Sequence, residues 1–489
     1  MLCKNQPNFA PVFKILTKMK KILVSAALMM SATVSTFAGG LLTNTNQHAS
    51  FLRNPSRQAI IGIEGVYTNP AGVAFMPQGF HLGVTWQAAW QKRQMDVTNP
   101  LFSMNTNNPS ANRFFEGEAT APVIPSIQAA YVINDKWSVS ANFAVAGGGG
   151  KCEFNNGLPM FEELIGGLVY KQGGTSYALN QNLTGEQYFY GLQLGATYKV
   201  TENFSVFGGV RGILANCAYE GAIANIKANG LSSAEYKALS DQAAAAAQQY
   251  AALGMATEAA QYAAMAQQAG TTAVMISDYK LDCKQDAVAF QPIIGANLKL
   301  GKLNIGAKYE FRAKVELENE SNNSANLSAL ASQVPAVAVY ADGAKVRSDV
   351  PALFTVGAQY EVADNIRAMA GFNYYFDKDA KGSATAVSDD TYEITLGAEW
   401  DVNEKITLGI GGQRTQYGFN DADMTDTSFN INSYGLCVGG AYKFSEKLKL
   451  NVGYMHSFYD DHKFTNANGT ACNYTRKNDV VGVSLDFKF

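Results

Sequence analysis

The clearest pattern in the chain is a two-residue alternation of apolar and polar positions. In the last nine residues, Val481, Val483, Leu485, Phe487 and Phe489 alternate with Gly482, Ser484, Asp486 and Lys488. Side chains of a strand point to opposite faces in turn, so this period predicts one apolar and one polar face. The same alternation recurs at Tyr188–Val200, Tyr392–Trp400 and Leu448–Tyr454. It predicts fourteen strands, near residues 79–95, 117–133, 136–147, 186–200, 203–219, 281–300, 302–317, 347–362, 365–378, 390–402, 405–418, 431–444, 447–460 and 476–489. Six of the joins between them are tight, such as Asn134-Asp135 and Asn403-Glu404. The other seven are long and polar.

An even strand count, alternating short and long joins and an apolar face rich in Tyr, Trp and Phe predict an all-β fold: a 14-stranded antiparallel transmembrane β-barrel. A secreted β-sandwich or propeller is the soluble alternative. Trp86, Trp137, Trp400 and Tyr442 are expected in the interfacial girdles. Composition agrees. The 489 residues are 47% hydrophobic but only 16% charged, below the usual quarter for a soluble protein. Gly (45), Phe (27) and Tyr (24) take up the difference and favour strands and turns. The net charge of −3, with no basic stripe, gives no ground for a nucleic-acid partner.

The start reads as a signal peptide over residues 1–38. Lys18, Lys20 and Lys21 precede the apolar run Ile22–Val34, and Thr36-Phe37-Ala38 fits a cleavage site. Met19 is a possible true start. Residues 39–78 follow without alternation, yet carry Leu41, Leu42, Phe51, Leu52, Ile60, Ile63, Val66, Val73 and Phe75. Fourteen strands enclose more space than wall side chains fill. Residues 39–78 are therefore expected as a hatch inside the lumen, and 79–489 as the barrel, with a helical extracellular insertion at 225–280. Residues 231–268 are Ala- and Gln-rich, hence helical by propensity.

GGLLTNTNQHASFLRNPSRQAIIGIEGVYTNPAGVAFM resembles the N-terminal hatch of the outer-membrane long-chain fatty acid transporters of the FadL/TodX type. The signature is Asn69-Pro70-Ala71, followed by Gly72, just before the first strand. VPALFTVGAQY (350–360) and the hairpin YGLCVGGAYKFSEKLKLNVGY extend the resemblance over the mature chain. Arg53-Asn54-Pro55 looks like a variant found outside the enteric type. The resemblance implies a monomer in the outer membrane, in contact with its lipid. Its ligand would be a hydrophobic, fatty-acid-like small molecule, for which detergent stands in within crystals. Capture outside, passage past the hatch and lateral release through the wall would follow, with Asn69, Pro70, Ala71 and Gly72 at the hatch bend beside the gate. An adhesive or display barrel and a general diffusion porin are the alternatives.

Several residues are candidate working parts. Gly147, Gly148, Gly149 and Gly150 end the third predicted strand, where the family's lateral gate is a kink; a flexible loop start is the other reading. Leu158, Met160, Phe161, Leu164, Ile165 and Leu168 lie in a long extracellular loop, as a capture groove or as helix packing. Arg211, Lys308, Arg312 and Arg367 have inward parity, with Glu310 and Glu399. They would hold a ligand carboxylate or brace wall and hatch. Cys217 and Cys283 bracket the helical insertion, as a disulfide or as two buried thiols. No CxxC motif, Cys/His cluster or catalytic motif is present, so no metal, cofactor or enzymatic activity is expected.

Overall fold

The computed structural model describes residues 42–331, 335–382 and 387–489. The leader and Met19 lie outside the described residues. Fourteen antiparallel strands form one wall. They are β1 (Gly79–Thr98), β2 (Asn112–Val132), β3 (Trp137–Phe154), β4 (Tyr177–Thr201), β5 (Phe204–Ala228), β6 (Tyr279–Leu300) and β7 (Leu303–Glu310, resuming at Glu316–Ser321). They continue as β8 (Ala352–Ala363), β9 (Ile366–Phe376), β10 (Thr391–Asp401), β11 (Ile406–Gln416), β12 (Ser433–Ser445), β13 (Leu448–Tyr459) and β14 (Ala471–Lys488). The sheet closes because β1 pairs with β14 from His81↔Lys488 to Thr98↔Ala471.

The wall is inside out relative to a soluble protein. On β4, Leu192 and Leu194 are half exposed while Gln187, Gln193 and Thr197 are buried. On β10, Ile394 and Leu396 face outward while Glu393, Thr395 and Glu399 are buried. Apolar side chains outside and polar ones within are what a lipid-facing barrel requires.

Two expectations change in detail. The seventh strand breaks over residues 311–315, where Ala313 and Val350 form an isolated bridge. Trp86 does not stand at a strand end. It lies seven residues into β1, mid-wall, and its indole Nε1 donates to Pro122 O at 3.1 Å. The insertion forms a helical hairpin of Ser233–Ala252 and Ala256–Met275. A capping box between Ser232 and Glu235 starts the first helix, which has no buried residue.

Candidate functional site: a wall interruption covered by the hatch

The hatch fills the lumen in two parts. Its larger part starts with the helix Ala49–Arg53, α1, every residue of which is buried. The next buried layer is held by ions. Glu399 on β10 accepts Arg53 Nε at 2.8 Å and also pairs with Arg57. Further round, Arg211 and Lys308 each pair with Glu310 at 2.6 Å. Hatch Tyr67 sits against both cations, its ring 3.8 Å from Lys308 Nζ and 5.2 Å from Arg211 Cζ. Two inward candidates are thus placed together and brace wall to hatch. The other two are corrections. Arg312 lies in the break of β7, its side chain 32% exposed, and reaches Asp349 at 3.8 Å. Arg367 sits at the rim with Asp401 at 2.5 Å, not deep in the wall.

Wall glycines complete this seat. Gly306, Gly357 and Gly371 are cross-strand neighbours on β7, β8 and β9. A Cβ at Gly306 or Gly371 would overlap Gln58, and one at Gly397 would overlap Asn54. The signature tetrapeptide belongs to the same seat. Asn69 Nδ2 donates to Ile60 O at 3.0 Å and to Asn297 Oδ1 on β6 at 2.7 Å. Pro70 opens a short 3-10 helix, Pro70–Phe75, where its missing N–H is harmless. Thr197 and Ser205 donate to the carbonyls of Pro70 and Ala71. Gly72 is required because a Cβ there would press on Asn69 and on Ile60 O. This bend docks chiefly on β4–β6, and a second part of the hatch reaches the third strand at its glycine run.

That part is the strip of residues 42–47. The β2–β3 ladder runs from Val132↔Ser138 to Ser126↔Ala144, then stops, and resumes only at Ala119↔Cys152. Between these points β3 parts from β2 while staying paired with β4. Residues 144–150 are all buried, the alternation is lost, and the β3–β4 register slips at Val145/Gly147 and Gly148/Gly150. The strip supplies the partner that β2 withholds. Asn44 N donates to Ala146 O at 2.9 Å, Asn44 Nδ2 to Val145 O at 3.0 Å, and Gly148 N to Leu42 O at 3.1 Å. Thr43 bridges Gly147, where any Cβ would overlap Leu42 O. Gly148 has φ +80°, a region that L side chains rarely adopt. Gln47 fixes the other side, accepting Ser126 Oγ at 2.5 Å and Gln128 Nε2 at 2.8 Å through its carbonyl.

The free edge of β2 is chemically prepared. Residues 120–125 contain Pro122 and Pro125, which have no N–H to leave unsatisfied in a membrane. Trp86 occupies the Pro122 carbonyl. Behind this edge lies an apolar cluster that includes Ala121, Ile124, Val145 and hatch residues Phe51 and Leu52. Sequence reasoning missed the strip and the two prolines. APVIP inside an otherwise regular strand was the available signal, since proline is excluded from central strands.

The loop candidates form the helix Pro159–Lys171, α2 here. Leu158, Met160, Phe161, Leu164, Ile165 and Leu168 are all buried, so they face the barrel mouth and not an open groove. Glu162 accepts from Asn105 at 3.1 Å, Arg113 at 2.8 Å and Gln181 at 3.0 Å. On the other side Asp426 accepts Met160 N at 2.7 Å and Tyr474 OH at 2.5 Å. Burial, with Glu163 nearby, pushes the Asp426 carboxyl up to about 7. A small apolar hollow beneath α2 is lined by Phe161, Leu164, Leu183, Ile223, Leu281 and Leu327.

Cys217 and Cys283 form no disulfide. The register sets Cys217 opposite Gln285 and Tyr219 opposite Cys283, a diagonal of two residues. Diagonal neighbours lie about 7–8 Å apart, beyond ordinary disulfide reach. Among the described residues, no cluster of His, Cys, Asp and Glu could hold a metal ion.

Solved structures share this architecture. A Pseudomonas aeruginosa FadL homologue superposes with a TM-score of 0.61 at 13% identity, over 93% of this chain and 100% of its own. The P. putida toluene transporter TodX gives 0.55 at 14% identity, over 89% and 97%. The Ralstonia pickettii toluene transporter TbuX gives 0.50 at 13% identity, over 91% and 99%. No family model and no curated protein matches the sequence. The chain has the fold of these channels.

Proposed function

We propose that this protein is an outer-membrane channel for hydrophobic compounds, long-chain fatty acids among them, which leave sideways through the wall between β2 and β3. The observation that carries this reading is the interrupted β2–β3 ladder at mid-wall, stoppered from within by residues 42–47. An unpaired strand edge facing hydrocarbon costs several kcal/mol per unsatisfied group. Here the cost is averted by two prolines, one indole and a detachable hatch segment, so the edge is kept open by design of the sequence. Lateral exit suits an apolar cargo. Each methylene gains about 0.8 kcal/mol by staying out of water, so release into the bilayer avoids the aqueous periplasm.

In this reading α2 and the apolar side chains beneath it receive the ligand at the mouth. Gly147–Gly150 form the kink that opens the wall, and the Asn69–Gly72 bend holds the hatch while the strip moves. The neighbours' cargo, toluene for TodX and TbuX, supports the apolar class. An open diffusion pore fits poorly, because the hatch occupies the lumen. The test is uptake of labelled oleate and labelled toluene by cells with and without the gene. Gene-dependent uptake of either supports the channel; equal uptake of both in the two strains overturns it.

A further inference from the structure

The wall has a second interrupted ladder, separated from the first by β3–β6. Pairing of β6 with β7 runs from Leu300↔Leu303 to Ile293↔Glu310, stops, and resumes only at Asp286↔Glu318. Between those points β7 uses one residue more than β6. β6 meanwhile stays paired with β5 from Phe204↔Leu298 to Ile223↔Tyr279. Both interruptions lie on one row of cross-strand neighbours. Val145 stands opposite Tyr190, Tyr190 opposite Leu214, and Leu214 opposite Val288.

The cause is a turn of the β7 backbone toward its other neighbour. Phe311 N still donates to Pro292 O at 3.0 Å. Continued in that register, Phe290 would pair with Ala313 and Val288 with Val315. Instead Ala313 exchanges both backbone hydrogen bonds with Val350, each at 3.0 Å. Val315 donates its N–H to Asp349 Oδ1 at 3.2 Å and accepts Ser348 N at 3.0 Å. Asp349 is buried and also holds Arg312 and Arg347. Among the described residues, no backbone hydrogen bond replaces the partners that Val288 and Phe290 lose. Both side chains face lipid, 65% and 67% exposed. Irregular backbone at membrane depth is tolerated where it is buried in protein or lines a water-filled cavity. Pro292 has no N–H, as Pro122 and Pro125 have none at the β2 edge.

Two contrasts set this break apart from the one between β2 and β3. It begins one residue beyond Glu310, the level at which hatch Tyr67 docks on Lys308, so it lies on the mouth side of the hatch. Among the described residues, no hydrogen bond from the hatch reaches residues 287–292 or 311–315. Small buried side chains close it instead: Ala289, Ala313 and Val315. They belong to the apolar cluster that continues through Val350 to Phe161 and Leu164 of α2. Just above the break the outward positions turn charged, with Asp286 and Lys284 on β6 and Glu316 and Glu318 on β7. The break therefore sits at the outer edge of the apolar band.

We propose that the β6–β7 interruption is a side entrance, through which uncharged apolar molecules in the outer leaflet reach the cluster beneath α2 without moving the hatch. The entrance rests on the channel reading and adds a route to it: cargo comes in through the wall above the hatch and leaves through the wall beside it.

The test links the wall across the break, using the full-length protein in cells with its native cysteines replaced. Phe290→Cys and Phe311→Cys flank the break on its lipid face and are joined by a short bismaleimide after folding. Labelled toluene is the probe. Linking is expected to cut gene-dependent uptake severalfold, while each single variant given the same reagent keeps transporting. The control pair is Ile294→Cys with Tyr309→Cys, directly opposite each other in the intact ladder. Linking that pair is expected to leave uptake unchanged. Wild-type uptake through the barrel linked at 290 and 311 overturns the entrance and leaves the channel standing. An equal loss in the control pair also overturns it, since any clamp between β6 and β7 would then act alike. Toluene uptake equal with and without the gene overturns the entrance, and the channel reading falls with it only if oleate uptake is equal too.

Discussion

The two parts of the hatch are attached in opposite ways. Residues 52–72 are fastened to the wall by the buried ion pairs of Arg53 and Arg57 with Glu399, by Tyr67 against two wall cations and by wall glycines cut to their shape. Residues 42–47 are held to β1, β2 and β3 by hydrogen bonds between neutral groups, several of them to kinked backbone, and Leu42 packs in an apolar cluster. Removing one partner of a buried ion pair strands a charge at about 3–5 kcal/mol, whereas a neutral hydrogen bond contributes about 1 kcal/mol. On these magnitudes the strip over the β2–β3 interruption is the less firmly fastened part of the hatch.

Substitutions can break that contrast, and the largest effect is expected at the anchor. Glu399→Ala leaves Arg53 and Arg57 buried without their carboxylate and should destabilise the protein by about 3–5 kcal/mol in urea titration. Single-channel conductance should rise as the plug loosens. Next is the glycine seat. Gly371→Leu should displace Gln58 and cost about 1–3 kcal/mol by overpacking, again with raised conductance. Gly208→Leu, with open space around it, is the control and should change neither. At the strip, Asn44→Ala removes the side-chain bond to Val145 O and should cost about 1 kcal/mol locally. The midpoint of barrel unfolding should not move, while a spin label at residue 43 becomes more mobile.

The smallest effect is a pH dependence at the mouth. The Asp426 carboxyl is raised to about 7 in the folded protein, against an ordinary carboxylate near 3.9 when unfolded. Its protonated form therefore favours docking of α2. That contribution is complete below about pH 4 and is lost as pH rises through about 7. Amide protection over residues 159–171, corrected for the intrinsic pH dependence of exchange, should fall between pH 5 and pH 8, and Asp426→Asn should flatten the fall.

Much of the barrel was legible because a strand's two-residue period is written into every segment. Val481–Phe489 or Tyr392–Trp400 needs no partner to be recognised. The hatch was legible as apolar sequence without a period. What could not be read depended on register. Arg312 has inward parity only if β7 is continuous, and the break at 311–315 moves it to a loop. Gly147–Gly150 marked a place in β3 but not its partner, since nothing in GGGG names Leu42. The Asn69–Gly72 bend stood out as a motif, but nothing in the four residues names Asn297 and Thr197, the wall partners that hold it.

Lateral release is tested most directly by closing the wall. Ile124 and Val145 lie in one apolar cluster on either side of the interruption. In a background with the native cysteines replaced, Ile124→Cys and Val145→Cys can be joined by a short bismaleimide in intact cells. Uptake of the labelled cargo should fall to the level of cells lacking the gene, while either single variant treated with the same reagent keeps transporting. Uptake at the wild-type rate through the linked barrel would contradict exit between β2 and β3.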